Sequence, residues 1–134
     1  MKIIDAHIHF SNIKSFHEVS TKSNVDYSLK GFQKEYKDVL AIGMGLTETS
    51  NAFPSNNTTN PMTLDLDHHP DNLFQCLGFN PLMDYNIPEV EKCITGNVVG
   101  FKIYAGYYHY MVDDPVFYPI YDLAKKYKLP VVIH

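Results

Sequence analysis

Two histidines stand two residues apart near the start of the chain, in Ile3-Ile4-Asp5-Ala6-His7-Ile8-His9-Phe10. Successive side chains of a strand point to opposite faces, so this spacing puts His7 and His9 on one face. Two neighbouring neutral imidazoles can hold one divalent ion. A second apolar run, Val131-Val132-Ile133, ends in His134. Three imidazoles suffice for zinc with one position left for water, whose pKa then falls to about 7. Asp5 falls on the same face by alternation, one layer deeper, where it can orient a ligand imidazole as a hydrogen-bond acceptor.

These residues need elements that bring distant strand ends together. The pattern predicts strands over 2–9, 39–45, 73–79, 98–104 and 130–134. It predicts helices over 25–37, 61–69, 88–95 and 115–128. Leu29, Phe32 and Tyr36 recur at helical spacing. Asn60 and Pro61 read as an N-cap and first helical residue, with Pro70 beyond the end. Asp114 and Pro115 open the last helix, which closes on Lys125, Lys126 and Lys128, a solvated end matched to the helix dipole. Strands alternating with helices imply a parallel sheet. The segments after the strands, 10–24, 46–60, 80–87 and 105–114, are longer than those before them. In parallel α/β folds such loops build the functional face. Segment 46–60, rich in Thr, Ser and Asn, reads as a mobile lid, and His17 lies in the first of these loops.

The chain has 134 residues, 45% of them hydrophobic, which is enough for one domain with a core. A net charge of -4 offers no basic footprint for nucleic acid. No apolar run reaches the roughly 18–20 residues that span a membrane, and no signal peptide is evident. Cys76 and Cys93, in an apolar run and a predicted helix, read as reduced structural thiols of a cytoplasmic protein. His68 and His69 fall at a predicted helix end and read as solvated or capping.

The ordered set Ile4-Asp5-Ala6-His7-Ile8-His9, Gly100-Phe101-Lys102-Ile103, Asp114-Pro115 with Tyr118-Pro119-Ile120-Tyr121, and Leu129-Pro130-Val131-Val132-Ile133-His134 resembles the amidohydrolase superfamily. The closest likeness is to its amidohydrolase-related branch of TIM-barrel metal-dependent hydrolases and decarboxylases. The resemblance implies an α/β fold, a parallel TIM-barrel-like sheet holding about five of the eight strands of a complete barrel. Residues 1–134 would then be the N-terminal part of such a domain, inactive by itself for want of the later strand-end histidine and aspartate. It implies His7, His9 and His134 as metal ligands, Asp5 behind them, and one divalent ion, zinc first, with manganese or iron as alternatives. The chemistry would be attack of metal-bound hydroxide on a carbonyl, or metal-assisted decarboxylation.

Some members of the superfamily carboxylate a lysine on this strand to bridge two metals. A strand-end Lys102 also reads as a pocket cation contacting a substrate anion. Tyr104, Tyr107, Tyr108 and His109 follow it and read as pocket lining for a small, carboxylated substrate; packing of the loop over the mouth is the alternative. Two rival functions are a non-catalytic barrel remnant acting through association and a TatD-like nuclease. Lys102 stands where the latter family favours glutamate. An open sheet edge at each end predicts self-association.

Overall fold

The computed structural model describes residues 3–9, 26, 29–45, 61–64, 68–83 and 85–134. Among them are strands β1 (Ile3–Ile8), β2 (Val39–Met44), β3 (Leu73–Phe79), β4 (Val98–Ile103) and β5 (Val131–Ile133). The helices are α1 (Leu29–Glu35), α2 (Ile87–Lys92), α3 (Ala105–Tyr108) and α4 (Tyr118–Tyr127), the last preceded by a 3₁₀ turn over Pro115–Phe117. The five strands form one parallel sheet in sequential order, β1-β2-β3-β4-β5, curled into a half-barrel. All five therefore end on the same side, as the sequence reading requires. No helix among the described residues is long and apolar enough to cross a membrane. Cys76 and Cys93 are both free thiols.

The core lies between the sheet and its helices. Leu77 and Phe79 of β3 and Phe101 and Ile103 of β4 pack with Phe117, Ile120 and Leu123 in the main cluster. Phe117 is fully buried, its ring edge-on to Phe79 at 6.0 Å between centroids. A smaller cluster joins Phe32 of α1 to Ala41, Leu64 and Leu73, with Ile8, Leu29 and Tyr36 against it. Of the residues predicted to recur on the inner side of this helix, Phe32 is buried, while Leu29 and Tyr36, the latter one residue past the end of α1, are half-buried against the cluster. The 3₁₀ turn that leads into α4 is capped as its sequence demands: the Asp114 carboxylate accepts from the Val116 amide at 2.9 Å, and α4 itself follows from Tyr118 without a side-chain cap. The helix ends at Lys128 in the left-handed region (φ 55°).

Three predicted elements differ. The helix expected over 61–69 is not formed at its described start. Met62 instead makes an isolated antiparallel bridge to Gly78, donating at 2.7 Å and accepting at 2.8 Å. The glycines explain it: a Cβ on Gly78 would lie 2.7 Å from the Gly45 carbonyl oxygen, and one on Gly45 would lie 2.3 Å from the Met62 carbonyl oxygen. Two bare backbones leave room for a third, and the pairing outweighs weak local helical preference. Second, within segment 105–114, which the pattern predicts as a loop, the first residues form the single turn α3, closed by His109 at φ 60°. Third, β1 carries a register shift between Asp5 and Ile8 that interrupts strict alternation. Asn60, His17 and segment 46–60 lie outside the described residues.

Truncation of Phe117 to alanine should remove about 3–5 kcal/mol of stability, the usual cost of a buried phenylalanine. A urea melt of the Phe117→Ala chain checks this, the expected outcome being a lower midpoint with an unchanged slope.

Candidate functional site

His7 and His9 end the edge strand β1. Their Nε2 atoms lie 3.2 Å apart, and their rings meet edge-on with centroids 5.0 Å apart. His7 is exposed and His9 half-buried. Burial, then the charges of His7, Lys102 and His134, hold His9 down at about 4. Burial, Lys102 and His134 also lower His7, against an opposing pull from Asp5. Both rings are therefore neutral at pH 7, the form that ligates a metal.

The pair fits such an ion. Two nitrogens each about 2.0–2.1 Å from one tetrahedral zinc are held roughly 3.3 Å apart. The observed 3.2 Å matches this spacing.

Asp5 does not reach either imidazole by a hydrogen bond. Its carboxylate accepts from the His7 backbone amide at 3.2 Å and from the Tyr36 hydroxyl at 2.8 Å. The register shift in β1 explains this: Asp5 lies level with Ala41, on the α1 side, rather than behind the histidines. Asp5 thus fixes the backbone that carries His7. Tyr36, whose hydroxyl titration is raised chiefly by that hydrogen bond, was legible only as a helix-face residue.

Lys102 occupies the other face of β4 from Phe101 and Ile103. It is 0% exposed, and among the described residues its Nζ has no hydrogen-bond partner. Its Nζ lies over the Tyr104 ring, 4.9 Å from the centroid. Burial lowers its pKa, partly offset by Cys76, whose own thiol burial pushes up to about 11. Tyr104 is buried and donates its hydroxyl to the Gly45 carbonyl at 3.1 Å, strapping the end of β4 to the end of β2. Burial raises the Tyr104 pKa.

His134 follows β5, its amide bonded to the Ile103 carbonyl at 3.0 Å. Its ring lies 4.6 Å from Tyr107 and 5.7 Å from Tyr104, and those two tyrosines are stacked at 5.7 Å. The structure thus gathers Lys102, Tyr104, Tyr107 and His134 on one side of the mouth and the His7–His9 pair on β1. Tyr108 is buried, and His109 is exposed at the close of α3. Of the predicted pocket residues, Tyr104 is a packing and strapping residue and Tyr107 the ring lying nearest His134. His68 is exposed and His69 half-buried. Among the described residues no group of three or more His, Cys, Asp or Glu side chains is arranged to hold a metal. Comparison of the chain with protein-family models, curated proteins and solved structures returns no match.

The depressed His9 titration makes stability depend on pH. The unfolded imidazole takes a proton near 6.5 and the folded one only near 4. Unfolding therefore takes up protons in that window, so the contribution is fully present above it and is lost on acidification. The denaturation midpoint should fall as pH drops from 6.5 toward 4, and His9→Gln should flatten that slope. Urea melts across the window, with an NMR titration of the His9 ring, check both.

Proposed function

We propose that the chain is a metal-dependent hydrolase of the amidohydrolase-related type, built on a TIM-barrel-like sheet, with His7, His9 and His134 as its ligands. The observation that supports this reading most directly is the pair of neutral imidazoles, 3.2 Å apart at Nε2, at the end of a parallel strand. A set of three imidazoles favours zinc, with manganese or iron as weaker fits. When bound, a divalent ion supplies Lewis acidity toward a carbonyl or carboxylate and lowers the pKa of a water.

The chain's own residues supply the rest. His7 and His9 share an Nε2–Nε2 hydrogen bond at 3.2 Å and would both turn Nε2 lone pairs to an ion that displaced its proton, while Asp5 anchors the backbone of His7. Lys102 provides a positive charge beside Tyr104 that can balance a carboxylate on a small substrate. Tyr107 packs against the His134 ring at 4.6 Å, fixing its position at the end of β5.

Calorimetry with zinc at pH 7.5 tests the reading. The chain should bind zinc, and His7→Ala and His9→Ala should each weaken binding at least about tenfold, the scale on which even outer-shell metal partners act. Lys102→Met should leave zinc affinity within about twofold, since no ligand is removed, while weakening the binding of a small carboxylate to the chain. Zinc binding unaltered by His7→Ala would defeat the proposal.

A further inference from the structure

The ladder between β2 and β3 stops one rung early. Residues pair from Ala41 with Leu73 to Met44 with Cys76, and beyond them the Gly45 amide donates to the Cys76 carbonyl at 2.7 Å. Bonds between parallel strands are evenly spaced and slanted, so one residue serves the two that flank its partner. The next rung of this series would run from the Gly78 amide to the Gly45 carbonyl. That amide goes elsewhere. It donates to the Met62 carbonyl at 2.8 Å, and the Met62 amide donates to the Gly78 carbonyl at 2.7 Å. The Gly45 carbonyl takes the Tyr104 hydroxyl instead, at 3.1 Å.

Gly45 and Gly78 have not moved apart. A Cβ on Gly78 would lie 2.7 Å from the Gly45 carbonyl oxygen. Neither residue carries a side chain that would oppose a small backbone shift. Gly78 pairs with Lys102 on its other side, so Tyr104, the residue after β4, reaches across β3 to Gly45. Met62 is buried over this point. Leu64, two residues on, is held separately, its amide donating to Gln75 Oε1 at 3.1 Å. Met62 can therefore leave Gly78 while Leu64 stays.

We propose that the Gly78 amide is shared between two acceptors, Met62 and Gly45, and that its choice sets the position of Tyr104. With Met62 in place, the Gly45 carbonyl is left to the Tyr104 hydroxyl. When Met62 lifts away, the Gly78 amide takes the Gly45 carbonyl and β2 gains its missing rung. The oxygen turns toward β3 and away from the hydroxyl. The Tyr104 ring is then released from the Lys102 amine and from the rings of Tyr107 and His134, which it now adjoins. Under the function proposed above, on which this consequence alone rests, a substrate that reaches Lys102 meets the ring in one of two positions.

Amide hydrogen exchange of the full chain, read by NMR, tests the exchange of partners. The Met62 amide is bonded in one arrangement only, the Gly78 amide in both. In the wild type Met62 should exchange at least about fivefold faster than Gly78, the low end of couplings between sites. Tyr104→Phe keeps the ring and removes the hydroxyl, which leaves the Gly45 carbonyl free to compete. It should speed the Met62 amide by at least about fivefold more and leave Gly78 within about twofold. Equal rates at the two amides mean that the bridge frays as a unit, and overturn the proposal. A Met62 amide unmoved by Tyr104→Phe overturns it too.

Met62→Ala reads the same coupling from the other end, since linkage is reciprocal. Flipping of the Tyr104 ring should quicken by at least about fivefold. Ring flips as slow as in the wild type overturn the proposal. None of these rates involves a metal. A chain that binds no zinc defeats the hydrolase reading alone, and the amide and ring rates decide the exchange with or without it.

Discussion

Phe101, Lys102 and Ile103 are consecutive on β4, and all three are buried. That is the constraint on which the rest of the structure turns. A central strand of a parallel sheet is covered on both sides, so whatever residue falls between two core residues is desolvated as well. Phe101 and Ile103 go to the helices, where Phe117 and Ile120 meet them. Lys102 goes the other way, carrying an amine into a place that offers it no hydrogen-bond partner among the described residues. A buried cation of this kind is costly unless neutralised or paired, which is why its titration is pulled down, with Cys76 opposing in part and an aromatic face beside the amine.

Several features follow from that placement. The Tyr104 ring beside the amine is fixed because its hydroxyl is donated to Gly45. Gly45 in turn lies where Met62, Gly78 and Cys76 crowd the backbone, so the strap has a rigid anchor. The same end of the sheet holds His7, His9 and His134. Apart from burial, what acts on His9 is positive: His7, Lys102 and His134. Asp5 opposes at His7 alone. Burial together with these neighbouring positive groups favours neutral rings at His7 and His9. Such rings suit a metal ion, which replaces their protons with a single shared charge.

The edge strand that carries the pair contrasts with the centre. β1 is half-open on both faces, and its register shift lets one short segment serve two masters: Asp5 toward α1, and two imidazoles drawn together at the strand end. A regular strand would have kept all three side chains on one face. The shift separates support from function and explains why the carboxylate steadies the backbone of His7 rather than its ring.

How much of this was readable in the chain depends on the range of the physics. All five strands and the capped turn that leads into α4 were legible, because alternation, apolar runs and an Asp-Pro cap act over a few residues. The His7–His9 spacing was legible for the same reason. The Met62 bridge was not: Asn60-Pro61 is a good local helix signal, and what overrode it was room left by Gly45 and Gly78, far away in sequence. Asp5 was misplaced because a register shift is set by pairing with β2, which no single-strand pattern reveals. The sequence by itself determined the element types, the shared end of the strands and the histidines that sit there. Only the tertiary structure decided that Lys102 is sealed from solvent, that Tyr104 is a strap, and that His134 lies against Tyr107. Burial and ring contacts arise between segments, and their energies exist only once the sheet has closed over them.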